Sequence, residues 1–264
     1  MYHDIFYPLL REAGRRMLAA DNDDIDAAAQ LKNENPANLV TAYDTAIQEY
    51  LKAELLLLFP EAVFLAEEQE NDKSVLGAAR CFVIDPIDGT ANFIHGYRRS
   101  CISLAMLENG IITAGAVYDP YNDELFYAER GRGTTVNGRP VRVAKRPPEG
   151  AMAVFGTAPY YKDIYGKGTF AMAEAIFRKT RDVRRSGTAA IDLAYVAAGR
   201  CDMFFEFILS PWDIAAGILL ISEAGGIATD MRGNPLTLEA PVSVMAASPA
   251  CYPTLAAEAK KYFI

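Results

Sequence analysis

Histidine and tryptophan are nearly missing from this chain of 264 residues, which carries two of the first and one of the second. His3 and His95 are far apart, and Cys81, Cys101, Cys201 and Cys251 show no paired spacing. That excludes a zinc site of the Cys/His kind. A Cys-x5-Arg phosphatase motif is also absent, and no Cys, Ser or His stands in a motif for a covalent nucleophile. No apolar run approaches the roughly 18 uninterrupted residues of a membrane helix, so no membrane span is expected. Met1-Tyr2-His3-Asp4 lacks the basic start and apolar stretch of a secretory leader. Positive charge is in deficit: 26 Lys and Arg face 34 Asp and Glu, a formal charge of −8. A general nucleic-acid partner is thereby disfavoured, although a local basic pocket for a small phosphate is not. The expectation is a soluble cytoplasmic protein with reduced cysteines, three of them in apolar runs. Apolar residues make up 51% of the chain, enough for a sizeable core.

No low-complexity segment or short repeat interrupts the chain. Ile5, Leu9, Leu10, Met17 and Leu18 fall at helical spacing. Lys32 to Asn38, with Pro36, is polar and loop-like. Thr41 is a plausible cap for a helix from there to about Leu58. A strand is expected at Ala62–Leu65, before Glu67-Glu68. Residues 80–143 are β-rich: Cys101–Leu107 and Ile111–Tyr118 flank a hairpin turn at Asn109-Gly110. Further strands are expected at Glu124–Ala128 and Val141–Ala144, around Asn137-Gly138. The stretch Ala144 to Gly150, with Pro147-Pro148, divides the single domain 1–264 into subdomains 1–146 and 147–264. Beyond it strands at Met152–Phe155, Met203–Phe207 and Val242–Ala246 alternate with helices. Those helices are expected at Phe170–Lys179, Ala189–Ala198, Asp213–Ala224 and Pro253–Tyr262. An antiparallel first half and an α/β second half form one layered unit.

The most informative stretch is Asp85-Pro86-Ile87-Asp88-Gly89-Thr90, which follows the buried-strand run Cys81-Phe82-Val83-Ile84. Two carboxylates three residues apart sit where that strand is expected to stop. Pro86 stiffens the turn and Gly89 permits close backbone approach to a ligand. Hard oxygen ligands on a stiff turn suit Mg²⁺. A plain turn with a helix cap uses the same residue types. Glu67 follows a strand candidate as well, while Asp44 and Asp213 open helix candidates. Carboxylates so placed can converge at one edge of a sheet, where they repel unless cations or raised pKa values relieve them. Singly, each has a simpler explanation: a capping-box acid three residues after Thr41, a helix-dipole partner at Asp213, a solvated strand end at Glu67.

The run from Asp85 to Phe93 resembles the first signature of the inositol monophosphatase family, and Trp212-Asp213-Ile214-Ala215-Ala216-Gly217 with Glu223-Ala224-Gly225-Gly226 resembles the second. Leu39 to Asp44, Glu67-Glu68, Arg185 to Ala190 and Phe205-Glu206 are similar to family positions in the same order, so the resemblance covers about residues 32–230. Two long signatures at the right separation are far more specific than one short motif. Ala66 departs from the Gly that many members have before the two glutamates.

The resemblance implies a layered α-β-α-β-α sandwich, a homodimer, and a Mg²⁺-dependent phosphatase using two or three ions. By it, Glu67, Asp85, the Ile87 carbonyl, Asp88 and Asp213 are metal ligands. Asp44, Glu67 and Thr90 are catalytic, with Thr90 and Asp44 orienting and deprotonating the attacking water. Asp88, Gly89, Thr90, Ala189 and Glu206 contact substrate, the Gly89 and Thr90 amides meeting the phosphate. The implied substrate is a small phosphorylated polyol, foremost myo-inositol monophosphate. Fructose-1,6-bisphosphatase, 3′(2′),5′-bisphosphate nucleotidase and histidinol-phosphatase activities are rivals on the same fold, and a regulatory binding module is the non-enzymatic one. Lys32 matches a loop lysine near the metals. Arg184 and Arg185 could steer phosphate, and as neighbours on a strand at most one should face the site. Tyr160 and Tyr161 lie in a loop that could shape specificity.

Overall fold

The structure, a computed structural model, describes residues 2–20, 30–31 and 39–263; Lys32 lies outside the described residues. Helix α1 (His3–Leu18) buries Phe6, Leu10, Ala13 and Met17, one stripe at a spacing of three to four. A two-stranded antiparallel pair, β1 (Gln30–Leu31) and β2 (Leu39–Val40), precedes α2 (Ala42–Leu58). Helix α2 turns Ile47, Leu51 and Leu55 inward.

Seven strands follow as the first sheet, in chain order: β3 (Val63–Ala66), β4 (Cys81–Asp88), β5 (Cys101–Glu108), β6 (Ile111–Asp119), β7 (Glu124–Glu129), β8 (Thr134–Val136) and β9 (Arg139–Val141). The pair β3–β4 is parallel and the others are antiparallel. Every residue of β4 is buried, as its apolar run requires. Asn109 and Gly110 both have positive φ, 52° and 80°, in the tight turn that joins β5 and β6. The expected strand at Val141–Ala144 is displaced. The hairpin closes on Asn137-Gly138, also at positive φ, so its strands begin on either side of that pair and end at Val141.

The second sheet has the order β11 (Asp182–Arg184), β10 (Met152–Phe155), β12 (Met203–Leu209), β14 (Val242–Ala247), β13 (Ile227–Thr229). Its first three strands are parallel and the last two pair antiparallel. Around it run α4 (Lys162–Phe177), α5 (Ala189–Ala197), α6 (Pro211–Glu223) and α7 (Tyr252–Tyr262); a short α3 (Thr90–Ile94) follows β4.

Packing gives five layers. Helices α1 and α2 cover the outer face of the first sheet, α5 and α6 lie between the sheets, and α4 and α7 cover the second. Ile214, Ala215, Ala216, Leu219, Leu220 and Ile221 are all buried, so α6 is apolar around most of its circumference, as a helix between two sheets must be. A side chain at Gly115 on β6 would sit 3.1 Å from the Ala216 backbone, so glycine there lets α6 lie close on the sheet. The fold is the α-β-α-β-α sandwich expected from the sequence. No helix among the described residues is long and apolar enough to cross a membrane, and the four cysteines are buried and free.

Candidate active site

Strand β4 does not stop at Ile84, as the turn chemistry implied, but pairs through Asp88. Asp85 lies opposite Ser103 and Asp88 opposite Cys101, with the register shifting between them. The extra residue on β4 is a bulge around Pro86, which has no N–H to lose. In an unbroken strand, residues three apart face opposite sides; the bulge returns Asp85 and Asp88 to one side. Asp85 Oδ1 accepts the Ile87 N–H at 3.1 Å, which steadies the turn. Gly89 follows at φ 88°, and a side chain there would meet Thr188 at 2.4 Å. Both its conformation and its space call for glycine.

Helix α6 delivers Asp213 in its first turn, where Oδ2 accepts the Ser210 N–H at 2.7 Å. Oxygen atoms of Asp85, Asp88 and Asp213 lie within 4.8 Å of one another. Glu67, just past β3, lies beside Asp85 and helps to raise its carboxyl. All four, with Ile87 and Thr90, line one cavity of about 390 Å³. Its donors are carboxylates and a carbonyl, with no nitrogen or sulfur ligand, a set that fits a hard divalent cation. Asp88 is additionally bound at Oδ2 by the Ala190 N–H, 2.7 Å away at the start of α5. The cluster is therefore assembled from the first sheet and the helical layer that lies against it.

Burial pushes Asp85 and Asp213 well above the usual carboxylate range, and the neighbouring carboxylates push them further. Asp88 is raised to about 7, chiefly by burial, against the opposing pull of the Ala190 N–H. Between an unfolded value of about 4 and these folded values, the folded chain binds more protons than the unfolded one. The metal-free protein should accordingly lose stability as pH rises through that window. Thermal unfolding without metal should give a higher Tm at about pH 5.5 than at about pH 8, and added Mg²⁺ should raise Tm more at the higher pH. A metal-free Tm that climbs over this range would contradict the clustering.

Asp44 is fully buried and ties two segments together. Its Oδ2 accepts the Thr41 N–H at 2.8 Å, closing a capping box in which Thr41 Oγ1 accepts the Asp44 N–H at 3.4 Å. Its Oδ1 lies 3.2 Å from the Thr90 hydroxyl, which is also 3.1 Å from the Ile87 carbonyl. The geometry leaves room for both the capping explanation and the catalytic one, one oxygen for each.

Glu206 lies mid-strand in β12 and is 7% exposed, not a solvated acid at a strand end. Its Oε1 accepts the Ala158 N–H at 2.8 Å. A Cβ at Gly156 would fall 1.8 Å from its Oε2, so only glycine leaves room for this carboxylate. Burial raises Glu206 to about 7, opposed by the Ala158 N–H and by Arg185. Arg185 lines the cavity and donates to Thr157 Oγ1 at 3.1 Å. Arg184 instead pairs with Asp182, so one of the two arginines faces the site. Gly89, Thr90, Ala189, Tyr160 and Tyr161 also line the cavity, whereas His95 is exposed and not part of its wall. Burial and the four clustered carboxylates raise the Tyr160 phenol above its ordinary value.

Two signature residues have structural work instead. Asn92 donates to the Arg99 and Ser186 carbonyls at 2.7 and 2.9 Å, tying the first turn to the loop before α5. Glu223 accepts the Gly131 and Gly133 N–H groups at 2.9 Å each. Sequence reasoning missed Asp192, which is 2% exposed, borders the cavity and is raised to about 7 by burial. Its signal was available: it is the single charge in the run Ala189–Ala198. Gly156 was missed too, and nothing in its surrounding sequence marks it.

A model of the inositol monophosphatase family matches residues 3–262. An inositol-1-monophosphatase of Rhizobium meliloti is 41% identical over 212 residues, covering 80% of this chain and 79% of that protein. A fructose-1,6-bisphosphatase/inositol-1-monophosphatase of Thermotoga maritima is 36% identical over 233 residues, covering 88% and 85%. The crystal structure of the extragenic suppressor protein suhB from Bartonella henselae superposes with a TM-score of 0.86 at 35% identity, over 98% of each chain. Sequence, topology and the carboxylate-lined cavity agree, and the chain belongs to the inositol monophosphatase family of phosphatases.

Proposed function

We propose that this chain hydrolyses the phosphate monoester of a small polyol, most readily myo-inositol monophosphate, with two or three Mg²⁺ ions held by Glu67, Asp85, Asp88, Asp213 and the Ile87 carbonyl. The observation that carries the substrate is Glu206, a buried carboxylate in the cavity that holds the acidic cluster. Bound Mg²⁺ supplies charge neutralisation for the phosphoryl group and activation of water. The protein's own part is positioning. The Gly89 and Thr90 amides meet the phosphate oxygens, and Ala189 borders the substrate. Asp44, through the Thr90 hydroxyl, aligns the attacking water and draws off its proton, with Glu67 beside it. Glu206 accepts hydrogen bonds from ring hydroxyls and repels a second phosphate.

Glu206→Gln keeps the shape and removes the charge. Its kcat/KM for inositol 1-phosphate should fall by about 1–3 kcal/mol of transition-state binding, while the penalty against fructose 1,6-bisphosphate and adenosine 3′,5′-bisphosphate should shrink. Wild-type preference for either bisphosphate would overturn the substrate and leave the metal chemistry standing. That second reading has its own support: Arg185 borders the cavity, and the Thermotoga relative is named for both activities. A purely binding role is disfavoured by a buried acidic cluster that would only destabilise a protein without a use for cations.

A further inference from the structure

We propose that Tyr160 is a substrate-binding residue of this site, its phenol hydroxyl donating a hydrogen bond to the phosphoryl group of the ester and then to the phosphate product. The assignment rests on the phosphatase reading above and adds a contact to it. Tyr160 lines the same cavity as Glu67, Asp85, Asp88 and Asp213. Burial first, and then the charges of those same four carboxylates, raise the phenol, so its hydroxyl shares their field. Its hydroxyl makes no hydrogen bond to any described residue, and the side chain is 44% exposed at the cavity mouth. Tyr161, its neighbour, instead turns its ring onto Tyr165 at 6.2 Å.

The backbone fixes this placement. Ala158 is held at φ 43°, a conformation that a non-glycine residue adopts at a cost. Two bonds hold it there: its N–H to Glu206, and its carbonyl to the Tyr161 N–H at 2.8 Å. Pro159 then opens a 3-10 turn over Pro159–Tyr161 that sets Tyr160 in the cavity wall. A phenol is a hydrogen-bond donor at neutral pH. Carboxylates occupied by cations have little to offer it, whereas a phosphate dianion has oxygens that can accept a donor beyond the Gly89 and Thr90 amides. The phosphoryl group is the one part of the substrate that must lie beside the metal carboxylates. A donor aimed there recognises what all phosphate monoesters share, whereas Glu206 discriminates among their alcohols.

The test is Tyr160→Phe, which keeps the ring and removes only the hydroxyl. With Mg²⁺ present, calorimetry should show inorganic phosphate binding about tenfold more weakly than to the wild type. The kcat/KM values for inositol 1-phosphate and p-nitrophenyl phosphate should fall by similar factors, because the lost contact is to the group they have in common. An unchanged Tm would show that the fold is intact. Wild-type phosphate affinity and kcat/KM in the variant would overturn the assignment. A loss confined to the inositol ester would also overturn it, moving Tyr160 to the polyol. A wild-type protein that hydrolyses neither ester defeats the phosphatase reading itself, a result that cannot be confused with failure at Tyr160 alone.

Discussion

Asp85→Asn should lower Mg²⁺-dependent phosphatase turnover by about a thousandfold or more, some ~4 kcal/mol of activation free energy. Asp85 sits among neighbours of like charge. Glu67, Asp88 and Asp213 all act on it, and it is 1% exposed. Asparagine preserves volume, and its amide oxygen can still accept the Ile87 N–H that shapes the bulge. What is lost is one negative charge at the proposed cation site. The same change removes repulsion from the metal-free protein, so its Tm at neutral pH should hold or rise while the Tm gain from Mg²⁺ shrinks. Stability and activity are thus predicted to move apart. A variant with near-normal Mg²⁺-dependent turnover would end the metal assignment.

Thr90→Ala should cost about a hundredfold in kcat with KM changed by less than about threefold. The hydroxyl stands between Asp44 Oδ1 and the Ile87 carbonyl, so its loss breaks the proposed route from water to Asp44 and leaves every acidic side chain of the cluster in place. Asp44 retains its capping bond to Thr41, so α2 keeps its start and the fold should survive. Thr90→Ser should restore most of the rate, since it returns the hydroxyl. If KM rises and kcat holds, Thr90 binds substrate through its side chain and the water is aligned by another group.

What could be read in the sequence was whatever a single element encodes. Cys81–Ile84 announced a buried strand by its unbroken apolar run, and Thr41 with Asp44 announced a helix start. What needed two distant segments stayed hidden. The Asp-Pro-Ile-Asp stretch has turn composition, and only β5 beside it shows that the segment remains paired as a bulge. Gly156 matters because Glu206 lies over it, a contact between positions with no local signature. The first half of α4 was lost because Gly166 and Gly168 depress helix propensity there, while packing against α7 and the second sheet restores it. Strands β11 and β13, three residues each, are too short for any period to show. Asp44 had two competing explanations in the sequence, and only the placement of Thr90 reveals that they are compatible.

Helix α6 has a mechanical consequence. It carries Asp213 near one end and Glu223 at the other, about 15 Å away at 1.5 Å per residue. The far end is moored by Glu223 to the Gly131–Gly133 turn and by the Leu220 carbonyl to Thr134 Oγ1 at 2.8 Å; the near end is moored by the Trp212 carbonyl to Ser103 Oγ at 3.3 Å. Close packing on both flat faces leaves the helix little freedom except to slide or pivot. A slack mooring at the Glu223 end therefore becomes misalignment at Asp213. The second signature is then one lever read from tip to anchor, and its non-chemical residues set the tolerance to which the chemical one is placed.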